Sequence, residues 1–228
     1  MTTAAGLAML VALAVVGCDG LPGQARARGE ATTSAAGMDV SALYQRQCAG
    51  CHGTEGQLGA ARPLNDPIYL ALVPRERLRR VIAEGVPGTA QPSFGPSAGG
   101  ALSEPQIDAL VQGLLVTWAQ PDATKNLEMP PYSGALGDPD RGHAVYTAAC
   151  AGCHGADGRG GPTAPSVVDP SYLALVSDQH LRTTVIAGRA DLGMPDWRGD
   201  MPGRPLGPGE VSDVVAFLVA RRGVVPGR

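Results

Sequence analysis

At 228 residues, with 32 glycines, 20 prolines and only 4% aromatic side chains, the chain has the length of two small domains rather than of one large core. A net charge of −3 excludes the basic surface that nucleic acid would need and offers little long-range steering of a charged partner. A domain of about 80–90 residues this rich in loop formers buries too little apolar surface by itself, so each half needs added apolar bulk.

The chain opens with an apolar run from Leu7 to Val16, too short to cross a bilayer comfortably. It ends in Val15-Val16-Gly17-Cys18, which resembles a bacterial lipoprotein signal. Residues 1–17 then read as a lipoprotein-type signal peptide, with Cys18 as the lipidated residue. More than one acyl chain makes a stable membrane anchor, and Asp19 resembles an inner-membrane retention signal. Met1 to Gly6 contains no Lys or Arg, a departure from the positive start of such signals. An ordinary cleaved secretory signal with an incidental cysteine is the alternative. From Cys18 to Gly37 the sequence is rich in Gly, Ala, Arg and Thr without periodicity. It reads as a flexible tether with a mean reach of about 25 Å.

Asp39 begins a helix with Val40, Leu43, Tyr44 and Gln47 on successive turns, and it leads into Cys48-Ala49-Gly50-Cys51-His52. The same five letters return as Cys150-Ala151-Gly152-Cys153-His154. Two cysteines two residues apart with a histidine directly after are the attachment signature of c-type haem. On one helical turn both thiols reach vinyl groups of one porphyrin, and the next residue lies below the ring as a proximal iron ligand. A lone Cys-x-x-Cys can instead hold zinc or act as a redox dithiol. Here the histidine is present twice, and no further cysteine pair remains to complete a zinc site. The expectation is two covalent haem c groups, on Cys48/Cys51 with His52 and on Cys150/Cys153 with His154.

The repeat runs far beyond the motif. Tyr44 and Tyr146 precede their first haem cysteine by the same spacing, and Tyr69-Leu70-Ala71-Leu72-Val73 is answered by Tyr172-Leu173-Ala174-Leu175-Val176. Helices are predicted over Arg75 to Glu84 and Asp178 to Ala187, the second capped by Ser177, and both stop at a glycine, Gly85 or Gly188. Two final helices follow. One starts at Ser103 and Pro105 with Ile107, Leu110, Val111, Leu114, Leu115 and Trp118 on one face; the other carries Val211, Val214, Val215, Leu218 and Val219. Ala119 to Gly137 reads as a Pro/Gly linker. Arg75, Arg77, Arg79 and Arg80 form a basic face, and His143 and His180 read as solvated.

These features resemble class I cytochrome c, twice over: a helix ending in the haem motif, looped segments, and a final helix packing across the first. The resemblance implies an all-α fold of two tandem cytochrome c domains, residues 38–120 and 138–228, joined by a linker at 121–137. In that family a downstream methionine followed by proline supplies the distal iron ligand. Gly193-Met194-Pro195-Asp196-Trp197 fits, with Met201 as a competitor. In the first half Gln91-Pro92-Ser93-Phe94 stands opposite Met194-Pro195-Asp196-Trp197, so the methionine is a glutamine. Gln91 is then a weak ligand or none, Met129 from the linker is a substitute, and an open position or a ligand from another protein completes the set. The resemblance implies a non-enzymatic electron carrier of a bacterial respiratory or photosynthetic chain, held by lipid on the periplasmic side of the inner membrane. Its partners would be redox proteins, such as a cytochrome b/Rieske or other quinol-oxidising complex, and a terminal acceptor. The alternative is a haem enzyme or gas-binding protein that uses an open position at the first haem.

Overall fold

The computed structural model describes residues 38–199, 201 and 203–223. The expected signal peptide, lipidated Cys18 and tether fall on residues 1–37, outside the described residues. Those described are all-helical, with isolated bridges Arg189–Met194 and Met201–Arg204 the sole extended pairings among them.

The first half runs α1 (Val40–Gln47), α2 (Ala49–His52), α3 (Pro67–Leu72), α4 (Arg75–Glu84) and α5 (Glu104–Trp118). After a single turn, α6 (Pro121–Thr124), the second half repeats them as α7 (Pro139–Ala149), α8 (Ala151–His154), α9 (Pro170–Leu175), α10 (Asp178–Ala187) and α11 (Pro208–Val219). Caps set the starts. Asp39 accepts from Ala42 N on α1, Asp66 from Ile68 N and Tyr69 N on α3, Asp138 from Asp140 N and Arg141 N on α7, and Asp169 from Ser171 N and Tyr172 N on α9. Ser103 N donates to Gln106 Oε1 at 2.9 Å and Gly207 N to Glu210 Oε2 at 2.8 Å, the return arm of a capping box. Helices α4 and α10 have the predicted bounds and end at Gly85 and Gly188, both with positive φ.

The haem motif does not continue the helix that leads into it. Cys48 and Cys150 stay in the right-handed helical region but at a stretched φ (−118° and −116°), capping α1 and α7 and opening the short turns that carry the second cysteine and the histidine.

Helix α5 crosses α1 and α11 crosses α7, each burying an apolar face. One core cluster gathers Val40, Leu43, Tyr44, Leu64, Ile107, Leu110 and Leu114 from the first half alone. The other gathers Tyr146, Leu173, Leu181, Ile186, Trp197, Leu206, Val211, Val214 and Phe217, and takes in Ile68 and Leu72 from α3. Helix α3 thereby joins the halves. Its opposite face, Leu70, meets Val73, Leu78 and Val111 in a third cluster.

Two expectations are corrected here. The segment from Ala119 to Gly137 is not a bare linker: Leu127, Met129 and Tyr132 pack on the second core. Arg182 also donates to Pro131 O at 2.9 Å, and Gln179 to Tyr132 O at 2.8 Å. His180 is not solvated. It is half-buried, and burial first, then Arg62, Arg189 and His52, pushes it down to about 4. His143 is exposed and stacks on Phe217.

Candidate haem centres

Each motif is fixed by the same two hydrogen bonds. Tyr44 Oη donates to Gly53 O at 2.7 Å and Tyr146 Oη to Gly155 O at 2.7 Å, pinning the chain just past the histidine. His52 Nδ1 lies 2.7 Å from Arg62 O, and His154 Nδ1 lies 2.8 Å from Pro165 O. A carbonyl can only accept, so Nδ1 carries the proton and Nε2 is left as the basic nitrogen, with the ring held in one orientation. Burial, as the largest cause, also holds His52 below the usual imidazole value. The neutral form is the one that binds iron.

None of the four motif cysteines is in a disulfide. Burial, then the neighbouring Cys51, pushes the Cys48 thiol up to about 11. A redox dithiol is activated by a lowered value, so Cys48 lacks the setting for that chemistry.

The loops that carry Gln91 and Met194 are held in equivalent ways. Val86 N donates to Gln91 O at 3.0 Å, and Arg189 N to Met194 O at 3.1 Å. Leu102 N donates to Phe94 O and Leu206 N to Trp197 O, each at 2.8 Å. A side chain on Gly85 would strike Gln91 O and Pro92, and one on Gly188 would strike Met194 O and Pro195. Backbone geometry therefore opposes Gln91 to Met194. The Gln91 amide Nε2 donates to Pro92 O at 3.2 Å. Met194 is half-buried and stands outside the core clusters, whereas Met201 and Met129 are packed against the second core.

The residues fit a porphyrin with carboxylate arms. Arg62 is only 5% exposed, yet its Nε and Nη1 have no hydrogen-bond partner within the protein, and the unpartnered Asp66 Oδ2 is 3.7 Å from Nη1. Buried NH groups of this kind are satisfied by an anion, and a haem propionate is one. Motifs signalled the cysteines and histidines; Arg62 carried no signal, because its role depends on what folds against it. The basic face on α4 is partly spent within the protein: Arg79 pairs with Glu104 and Asp108, and Arg75 donates to Gln112 Oε1 at 2.7 Å.

A family model described as cytochrome c oxidase, cbb3-type, subunit III matches twice, over residues 35–112 and 137–218. The cbb3-type cytochrome c oxidase subunit CcoP of Azospirillum sp. (strain B510) is 27% identical over 172 residues, covering 68% of this chain and 53% of that protein. The chain thus spans about half the length of that relative. Among solved structures, a chain of the reducing HAO-like protein complex of Kuenenia stuttgartiensis has a TM-score of 0.46 at 19% identity, covering 81% of this chain and 96% of its own. The c-type cytochrome NirC has a TM-score of 0.30 at 29% identity, covering 36% of this chain and 91% of its own.

Proposed function

The chain belongs to the family of cbb3-type cytochrome c oxidase subunit III and carries two covalently bound haem c groups, and from that premise we propose that it relays electrons in a bacterial respiratory chain, on the periplasmic side of the inner membrane. The haems, when bound, supply one-electron exchange between ferrous and ferric iron. The rest is the work of this chain's residues. Cys48 and Cys51 tether the first haem and Cys150 and Cys153 the second. His52 and His154 are the proximal ligands, and Met194 is the distal ligand of the second haem. Gln91 occupies the distal position of the first as a weak ligand. The haem-binding units are residues 38–120 and 138–228. Cys18 carries the lipid anchor, and the partners are redox proteins: a quinol-oxidising or oxidase complex on one side and a terminal acceptor on the other.

One observation supports this most: the same tyrosine and histidine anchors recur around both motifs while their distal residues differ, Met194 against Gln91. A thioether favours ferrous iron and raises the potential, whereas an amide oxygen is a hard ligand that favours ferric iron. The first haem therefore has the lower potential. That difference would let one chain accept at one potential and donate at another. The rival reading, an enzyme or gas binder at the first haem, shares Gln91 as its basis. It needs an acid or base on the distal side, and Glu84, the nearest carboxylate on the preceding helix, is exposed.

Intact mass should exceed the apo-chain by two haems, and a redox titration should resolve two one-electron steps. Carbon monoxide should bind about one ferrous haem per chain, and Gln91→Met should raise the lower potential and suppress that binding. Two sulfur–iron bands and no carbon monoxide binding in the wild-type protein would sink the Gln91 assignment.

A further inference from the structure

Two arginines cross between the halves in opposite directions. From the first half, Arg62 donates through Nη2 to Gly188 O at 3.1 Å and Thr183 O at 3.3 Å. Gly188 is the C-cap of α10, where a cation is favoured, and Thr183 lies within the same helix. The backbone carbonyl of the same Arg62 is the acceptor for His52 Nδ1 at 2.7 Å. From the second half, Arg189 donates through Nη2 to Gly59 O at 3.3 Å. It is oriented by a two-point pair with Asp191, both contacts 2.9 Å, and Asp191 Oδ2 in turn accepts from Leu58 N at 3.1 Å.

Both grips end on the elements that carry the axial residues. Gly188 is packed so closely on the distal loop that a Cβ there would lie 2.2 Å from Pro195 O and 2.7 Å from Met194 O. Arg189 closes the same loop, donating to Met194 O at 3.1 Å and accepting from Met194 N at 3.0 Å. Gly59 is equally tight on the first motif: a Cβ would lie 2.2 Å from Cys51 O and 2.7 Å from the His52 carbonyl carbon.

Neither arginine follows from the duplication. The acceptor for the second histidine, in the place of Arg62, is Pro165, and the residue paired with Gln91, in the place of Arg189, is Val86. Each half thus departs from its repeat where it reaches into the other. Arg62 is also fully buried, with its ring-stacking partner Tyr69 5.0 Å away and its nearest carboxylate, on Asp66, not hydrogen-bonded to it. Packing alone does not explain a buried guanidinium with two nitrogens unpartnered within the protein; a haem propionate would complete its pairing, while Nη2 remains committed to the other half.

We propose that Arg62 and Arg189 form a reciprocal clasp that positions the axial residues of each haem through the opposite half and thereby couples the two potentials. This rests on the ligand assignment under Proposed function. Arg62 links the His52 imidazole to the loop of Met194, and Arg189 links that loop back to the Cys51–His52 turn. Each is a positioning residue, acting through the ligands it holds. The buried guanidinium of Arg62 adds an electrostatic effect. A positive charge disfavours ferric iron, which carries the greater charge, and so raises the potentials.

The test is redox titration of the membrane-extracted holoprotein, with haem content by mass and the sulfur–iron band as controls, for Arg62→Gln, Arg62→Lys, Arg189→Gln and the Arg62→Gln/Arg189→Gln double variant. Arg62→Gln should shift the ferric–ferrous equilibrium of both haems toward ferric by about tenfold, equivalent to about 59 mV for one electron. Arg62→Lys keeps the charge but not the fork, so it should restore the potentials in part while leaving the sulfur–iron band of the second haem weakened. Arg189→Gln should shift the first haem although the residue lies in the second half. The double variant should fall short of additivity, the mark of shared partners. Shifts confined to the haem of the altered half, or strictly additive shifts, overturn the clasp. If Arg62→Gln does not accumulate as a two-haem protein, Arg189→Gln alone decides by the same criterion. Fewer than two haems, or no sulfur–iron band, in the wild-type protein would overturn the ligand assignment and the clasp together; with both features intact, a failure belongs to the clasp.

Discussion

Where its first and last helices cross, the first half sets Val40 of α1 against Gly113 of α5; the second half sets Gly142 of α7 against Phe217 of α11. A Cβ on Gly113 would come within 2.5 Å of Val40 Cγ1, and one on Gly142 within 2.0 Å of Asp213 O and 2.9 Å of Phe217 Cβ. The same crossing is thus filled from opposite sides: large on the first helix and small on the last in one half, small and then large in the other. What the fold preserves is the summed volume at a close helix contact. A similar trade appears in the aromatic support of the first tyrosine. Tyr44 meets Trp118 edge-on at 5.2 Å, and Tyr146 stacks on Phe217 at 4.9 Å.

The largest expected effect breaks the comparison outright. Cys48→Ala/Cys51→Ala should cost the chain one haem and Cys150→Ala/Cys153→Ala the other, read as a one-haem drop in intact mass. The consequences for folding should differ between the two. The second core includes Ile68 and Leu72 of α3, whereas the first cluster draws on the first half alone. Loosening the first half should therefore lower the melting temperature of the second, by exposing side chains worth about 1.5–3 kcal/mol each when buried. The converse effect should be smaller. Equal coupling in both directions would remove the asymmetry assigned to α3.

How much of this was legible in the sequence follows the same division. The motif, the paired tyrosines, the bounds of α4 and α10, their glycine stops and the register of Gln91 against Met194 are all local or repeat-encoded, and each has its counterpart in the backbone. What depends on the docking of the halves was not legible. Leu72 and Leu175 are the same letter in the same repeated run, yet one is 7% exposed and the other 52%. The difference arises because Leu72 enters the core of the other half, whereas Leu175 meets the other half through its carbonyl, which accepts from Ala90 N at 3.1 Å; where α3 carries Ile68, α9 carries the exposed Ser171. His180 and Arg62 were misread or missed for the same reason: the Arg62 and His52 that act on His180, and the Thr183 and Gly188 carbonyls that Arg62 reaches, lie in the opposite half. The swap of Val40 and Gly113 for Gly142 and Phe217 leaves no periodicity, since each helix alone remains an ordinary amphipathic one.

A smaller effect tests that swap. Gly142→Val places a branched side chain against the Asp213 backbone, and overpacking of this kind costs about 1–3 kcal/mol, here toward the upper end because backbone cannot yield as a side chain can. Adding Phe217→Gly recreates the first half's arrangement in the second. The pair should be less destabilised than the two single changes summed, by about 0.5–3 kcal/mol in a thermal or denaturant double-mutant cycle. Strict additivity would mean that the two crossings are not equivalent packings.

The smallest effect probes what the halves share. Tyr44→Phe and Tyr146→Phe each remove the donor to a glycine carbonyl behind a motif histidine, at the same 2.7 Å in both halves. Each should cost about 1 kcal/mol at neutral pH, with no change in haem content. The phenols also give a pH signature. Burial holds Tyr146 up at about 12 from an ordinary 10.0, and burial raises Tyr44 as well. A phenol raised in the folded state stabilises fully below its unfolded value, and that stability is lost as pH climbs from 10 toward the folded value. Melting temperature should therefore fall between pH 10 and 12 in the wild-type protein, and less steeply in the Tyr44→Phe/Tyr146→Phe variant. A residual slope should remain from Tyr69, which burial also holds at about 12 in the joint between the halves. If one tyrosine proves several times more costly to replace than the other, the two anchors differ in strain or solvation despite equal geometry. An unaltered alkaline slope in the double variant would shift the whole titration onto Tyr69 and the joint.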